Sequence, residues 1–110
     1  MNFREYQDEA ITTLIKNKNT PVELFARLIL GLAGENGEIA EKAKKLLRGD
    51  CNMTLKFKNE IKKECGDLLW YLANLVDFLG LDLEEVAKEN IDKLASRKKR
   101  GKIKGSGDLR

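Results

Sequence analysis

Apolar positions fall at helical spacing in four stretches of the chain, with no sustained alternation of the kind a strand shows. Phe3, Tyr6, Ala10, Ile11 and Leu14 recur every three or four residues. Asn2, with Glu5 three residues on, forms a capping-box arrangement ahead of them, which predicts a first helix reaching about Asn17. In Thr20-Pro21-Val22-Glu23 the threonine caps, the proline takes the first helical position and the glutamate closes the box. A second helix follows, to Arg48, with Gly49 as its stop. Gly31, Gly34 and Gly37 sit inside it, each costing up to about 1 kcal/mol against alanine. Glycines at that spacing are also places where another helix or a ligand comes close. Residues 50–54 form a polar loop, and Thr54 caps a third helix over Leu55–Leu79 that Gly80 ends. Asp82 with Glu85 makes a further capping box for a fourth helix, about Leu83 to Lys99. The glycines after residue 100 have loop composition. The reading is an all-α, antiparallel bundle of about four helices over residues 1–100, followed by a basic, Gly-rich tail over 101–110.

A length of 110 residues suits one domain, and the single proline leaves room for long helices. No run of 18 apolar residues exists, so no membrane span is expected, and Met1-Asn2-Phe3-Arg4-Glu5 does not read as a secretory signal. Cys51 and Cys65 do not make a disulfide framework and read as free thiols of a reducing, cytoplasmic compartment. The chain has no histidine. Ser-His-Asp and Cys-His nucleophile systems are thereby excluded, along with the imidazole ligands of most zinc sites and of helical-bundle di-iron sites. Acid–base work falls to carboxylates, lysine, tyrosine or water on a metal. The net charge of +3 is uneven: residues 96–110 carry +6, leaving −3 for the rest. An acidic body with a basic end suits a shared polyanion.

Two acidic motifs carry the candidate chemistry. Glu35-Asn36-Gly37-Glu38 and Glu64-Cys65-Gly66-Asp67 each hold two acids three residues apart, on one face of a helix. Leu24, Leu28, Gly31 and Glu35 share a face of the second helix, with Glu38 beside them. Phe57, Glu60, Glu64, Tyr71 and Leu75 share a face of the third, with Asp67 next to Glu64. Both pairs continue apolar stripes and therefore point inward. A carboxylate buried without a partner is costly. The acids must line a cleft, meet a cation such as Mg²⁺, which takes oxygen ligands, or lie on an ordinary solvated face. Glu41 and Glu60 extend the motifs as ligands, supports or plain surface.

These residues carry a resemblance. Gly31-Leu32-Ala33-Gly34-Glu35-Asn36-Gly37-Glu38-Ile39-Ala40-Glu41 resembles the first signature of the MazG-like, all-α nucleoside triphosphate pyrophosphohydrolases. Lys63-Glu64-Cys65-Gly66-Asp67-Leu68-Leu69-Trp70-Tyr71-Leu72-Ala73-Asn74 is similar to the second, and Asn90-Ile91-Asp92-Lys93-Leu94 with Arg97 and Arg100-Gly101 to the basic C-terminal element. The likeness spans roughly residues 20 to 108, with all four acids present. It implies a dimer or tetramer of helical bundles that hydrolyses nucleoside triphosphates, deoxynucleotides included, to monophosphate and pyrophosphate with Mg²⁺, Mn²⁺ being a possible substitute. It implies metal binding by Glu35, Glu38, Glu64 and Asp67, and a base contact at Tyr71.

Water must then attack in line at the α-phosphorus, and Glu38 or a neighbouring acid is the candidate to take its proton. Lys93, Arg97, Arg100, Lys102 and Lys104 are candidates for the triphosphate, and Asn90 for a substrate hydrogen bond. Trp70, on another face from Tyr71, reads as packing. The competing reading is a non-enzymatic helical module whose basic tail contacts nucleic acid, with the acids structural. Apolar residues such as Trp70, Phe78, Leu79 and Leu81 exceed what a four-helix monomer covers, so a homodimer or homotetramer is expected.

Overall fold

A computed structural model describes residues 1–110. The chain is all-helical and without strands: α1 (Phe3–Ala10), α2 (Pro21–Leu47), α3 (Leu55–Phe78) and α4 (Leu83–Lys99). α1 is shorter than its periodicity predicts. It gives way to a 3₁₀ turn over Ile11–Thr13. There the Thr12 and Thr13 hydroxyls donate to the carbonyls of Glu9 and Ala10, which diverts acceptors a longer helix needs. The chain then turns through Asn17, at φ 51°.

The other boundaries follow their caps. Thr20 and Glu23 complete a reciprocal capping box at α2, and the Thr54 hydroxyl accepts from the Phe57 amide at the start of α3. Asp82 does not form a box with Glu85. Its carboxylate accepts instead from the Glu84 amide at 2.9 Å. The Glu84 side chain crosses to α1 and accepts from the Phe3 and Arg4 amides, adding an acidic cap to the one Asn2 gives that helix. α2 and α3 end one residue earlier than expected, each in a Schellman pair. Leu81 N–H donates to the Val76 carbonyl, and Asp50 N–H to that of Lys45. These closures require left-handed residues at Gly49 (φ 80°) and Gly80 (φ 71°).

α3 is the hub. α2 lies along it as an antiparallel hairpin partner and touches no other helix, whereas α1 and α4 meet each other and the C-terminal part of α3. A small core of Ala10, Ala73, Val76 and Leu83 forms there, with Tyr6, Leu69, Trp70 and Leu72 packed around it. Gln7, fully buried, ties the α3–α4 turn to α1: its amide donates to the Leu81 carbonyl and accepts from the Leu83 amide. Along the hairpin, Leu28 and Phe57 are buried, and Phe25 meets Phe78 with ring centres 5.6 Å apart. At the far end of the hairpin, Ile39, Ala43, Leu46, Met53, Phe57 and Ile61 line an open apolar groove of about 300 Å³. Because α2 packs only on α3, one chain does not close a four-helix bundle. The radius of gyration, 17.0 Å, exceeds the ~13 Å of a compact domain of this size.

Candidate metal centre

The antiparallel hairpin sets the middle of α2 against the middle of α3, and that crossing is where both acidic motifs lie. Glu35, Glu64 and Asp67 each present a carboxylate oxygen to one locus, and the three oxygens lie within 4.8 Å of one another. Glu38 stands outside this triad. It is exposed and turned toward Glu64. Of the four acids, Glu35 and Glu64 are half-buried, and one oxygen of each is fully enclosed without a hydrogen-bond partner.

The electrostatics follow from that crowding. Burial holds the Glu35 carboxyl above the usual range, and the charges of Glu38 and Asp67 push the same way, against a lowering contact with Glu64. Glu38 is raised chiefly by its contact with Glu64 and by that residue's charge. No lysine or arginine lies within ion-pair distance of any of the four. The neighbouring cations are committed elsewhere: Lys42 to Glu60 across the hairpin at 3.3 Å, Lys44 to Glu41 at 3.5 Å. Glu41 and Glu60 therefore serve ion pairs outside the triad. Like charges gathered without a protein counter-charge, in an all-oxygen donor set with two orphaned oxygens, fit a hard divalent cation.

Tyr6 is a residue of this neighbourhood that periodicity marks only as core. Its phenol is held above the usual value first by burial and then by the charge of Asp67. Tyr71 lies one turn beyond Asp67, half-buried, with its ring against Gly31 of α2. Trp70 meets it edge-on at 5.0 Å between centres, and the indole N–H donates to the Thr13 hydroxyl at 2.7 Å.

The basic residues gather at the other end of α4, a helix that does not touch α2. Arg97 is buried, and one guanidinium nitrogen donates to the Asp108 carbonyl at 2.9 Å and to its carboxylate at 3.2 Å. Lys93 reaches the same carboxylate at 3.2 Å. Arg100 donates to the Ser96 hydroxyl and the Arg110 main-chain oxygen. Arg110 in turn donates to the carbonyls of Lys102, Ile103 and Gly107, closing the tail into a hook. Lys102 and Lys104 are exposed on it. Asn90 and Lys93 line a shallow concavity with Val86 and Glu89. Within one chain the acids come together and the cations come together, as two separate groups.

No solved structure matches the chain significantly. The Gene 37 protein of Mycobacterium phage L5 is 44% identical over 90 residues, covering 81% of this chain and 79% of that protein. The MazG nucleotide pyrophosphohydrolase domain model matches residues 24–101, a span that holds both acidic motifs and α4. On that match the chain belongs to the MazG nucleotide pyrophosphohydrolase domain family.

Proposed function

We propose that the protein is a Mg²⁺-dependent hydrolase that cuts nucleoside triphosphates, deoxynucleotides included, to monophosphate and pyrophosphate. The observation that carries this reading is the convergence of the Glu35, Glu64 and Asp67 oxygens, two of the acids having an enclosed oxygen that no protein donor satisfies. Glu35, Glu64 and Asp67 would hold the cation, with Glu38 at the edge of the set as a fourth ligand or as the base. When bound, Mg²⁺, or Mn²⁺ in its place, supplies neutralisation of the phosphate charge and a more acidic water. The chain's own part begins at Glu38. Exposed beside Glu64, at the solvent edge of the acidic set, Glu38 is the residue we assign to accept the proton of an attacking water. Tyr71 offers the exposed part of its ring to a base, and Asn90 a hydrogen bond to the substrate. Lys93 and the exposed Lys102 are the cations we assign to the triphosphate, while Arg97, buried and bonded to Asp108, and Arg100, bonded to Ser96 and Arg110, hold the tail that carries Lys102.

Those cations lie on α4 and the tail, apart from α2. Their use at the acidic crossing therefore goes with assembly of a homodimer or homotetramer, in which another copy brings them there. The open shape and the exposed Leu30, Leu47, Leu55 and Ile91 support such an assembly. A nucleic-acid role for the tail has less support, since Arg97, Arg100 and Arg110 direct donors at the tail's own oxygens. The deciding experiment incubates the protein and Mg²⁺ with a panel of common and modified nucleoside triphosphates and identifies the released product. Pyrophosphate is expected. Orthophosphate alone, or no release from any substrate, overturns the reading.

A further inference from the structure

α2 contains three glycines at a spacing that weakens a helix, and they are not equivalent. A Cβ at Gly34 or Gly37 would meet nothing within 4 Å. A Cβ at Gly31 would fall 2.7 Å from Cδ1 of Tyr71 and closer still to its Cε1 and Cζ. The tyrosine ring thus occupies the space a side chain at position 31 would fill, flush against the backbone of α2. Gly31 lies one turn before Glu35, and Tyr71 one turn after Asp67, so the ring is on the order of 6 Å along the helices from two members of the carboxylate triad. The sugar of a nucleotide separates its base from its α-phosphate by a comparable span. The ring is also held from the side: Trp70 stands perpendicular to it, at 87°, and is itself fixed through the Thr13 hydroxyl.

We propose that Gly31 is a positioning residue. Its missing side chain is the berth that holds the Tyr71 ring beside the acidic crossing and so sets where, and how closely, the base of a bound nucleotide stacks. This rests on the reading of the site as a nucleotide-binding one. Any larger residue at 31 must turn the ring away from α2 and toward the space the base would enter. The carboxylates, one turn further along each helix, stay in place.

The test uses Gly31→Ala, Tyr71→Leu, the double variant Gly31→Ala/Tyr71→Leu and, as a control for helix propensity, Gly34→Ala. Trp70, the only tryptophan, reports on its neighbour's ring through its emission. Binding is measured calorimetrically with a non-hydrolysable nucleoside triphosphate analogue, and separately with Mn²⁺ alone. Gly31→Ala is expected to shift the Trp70 emission and to weaken the analogue about tenfold or more, the scale of one lost base stack. Mn²⁺ affinity stays within twofold of about the parent value, and in turnover the loss falls on KM rather than kcat. Gly34→Ala leaves the emission unchanged. The double variant, in which leucine vacates the berth, folds even where Gly31→Ala does not, and binds the analogue no worse than Tyr71→Leu alone. The inference is overturned if Gly31→Ala keeps the parent emission and analogue affinity, or if the losses of the two single variants add in the double. Absence of pyrophosphate release by the parent protein would sink the catalytic reading alone, since the binding experiment needs no turnover.

Discussion

Glu64 shows how much of the site is electrostatic debt left for a cation. Its enclosed oxygen and that of Glu35 have no donor between them. A glutamine at 64 would bring an amide that can donate to Glu35 and would remove one negative charge from the group. Glu64→Gln is therefore expected to melt higher than the parent in the presence of a chelator, and to lose most of the upward shift that Mg²⁺ gives the parent. Thermal scans of both proteins with and without Mg²⁺ check this, and a parent Tm indifferent to the cation would contradict it. For turnover, Glu38→Gln and Asp67→Asn are each expected to reduce pyrophosphate release by at least ~100-fold, the scale of a lost base or ligand, with the helical circular dichroism intact. Unchanged turnover in both would refute the assigned chemistry. The acids were legible because spacing in a helix translates directly into a shared face. Tyr6 was not, because an aromatic in an apolar stripe looks the same whether it faces a core or, as here, also senses Asp67.

At the scale of elements, the caps were the most legible feature and α1 the least. Thr20-Pro21-Val22-Glu23 carries its whole signal locally, and the box it spells is formed. Thr20→Ala is expected to cost about 1 kcal/mol, lowering Tm by about 4 °C, as a calorimetric scan would read it. Glu84, by contrast, caps a helix eighty residues upstream. Nothing in its own neighbourhood announces that; the pattern there predicts only a box of Asp82 with Glu85 for α4. The overlong α1 expected from Leu14's periodicity fails for a related reason: Thr12 and Thr13 offer the backbone hydroxyl donors that apolar spacing does not record. The hairpin of α2 on α3 depends on Leu28, fully buried between two long helices. Leu28→Ala is expected to cost about 2–5 kcal/mol by leaving a cavity between the two helices. Because the same hairpin sets the acidic motifs opposite one another, that variant should lose Mg²⁺-induced stabilisation along with stability.

Over the whole molecule, the uneven charge visible in the sequence resolves into an acidic crossing on α2 and α3 and a basic hook beyond α4. Within one chain the two stay apart, and the hook's arginines bond its own backbone and Asp108. A carboxylate eleven residues along the chain from its arginine leaves no periodic trace, which is why this contact was not foreseeable. Its energetics give a pH signature. Asp108 is held below the usual carboxylate range, first by its hydrogen bonds to Lys93 and Arg97 and then by their charges. A group with a depressed folded-state pKa stabilises the structure above its unfolded value, and that stabilisation is lost as pH falls through the folded one. The hook is therefore expected to stay docked at neutral pH and through the ordinary carboxylate range, and to release only below it, where Asp108 takes up a proton. Amide resonances of residues 105–110, followed by NMR on lowering the pH, should sharpen and move toward random-coil positions in that acid window. Asp108→Asn should show the released positions already at neutral pH. Amide positions that do not respond to either change would mean that packing of the Arg97 stem, not the charge of Asp108, holds the hook.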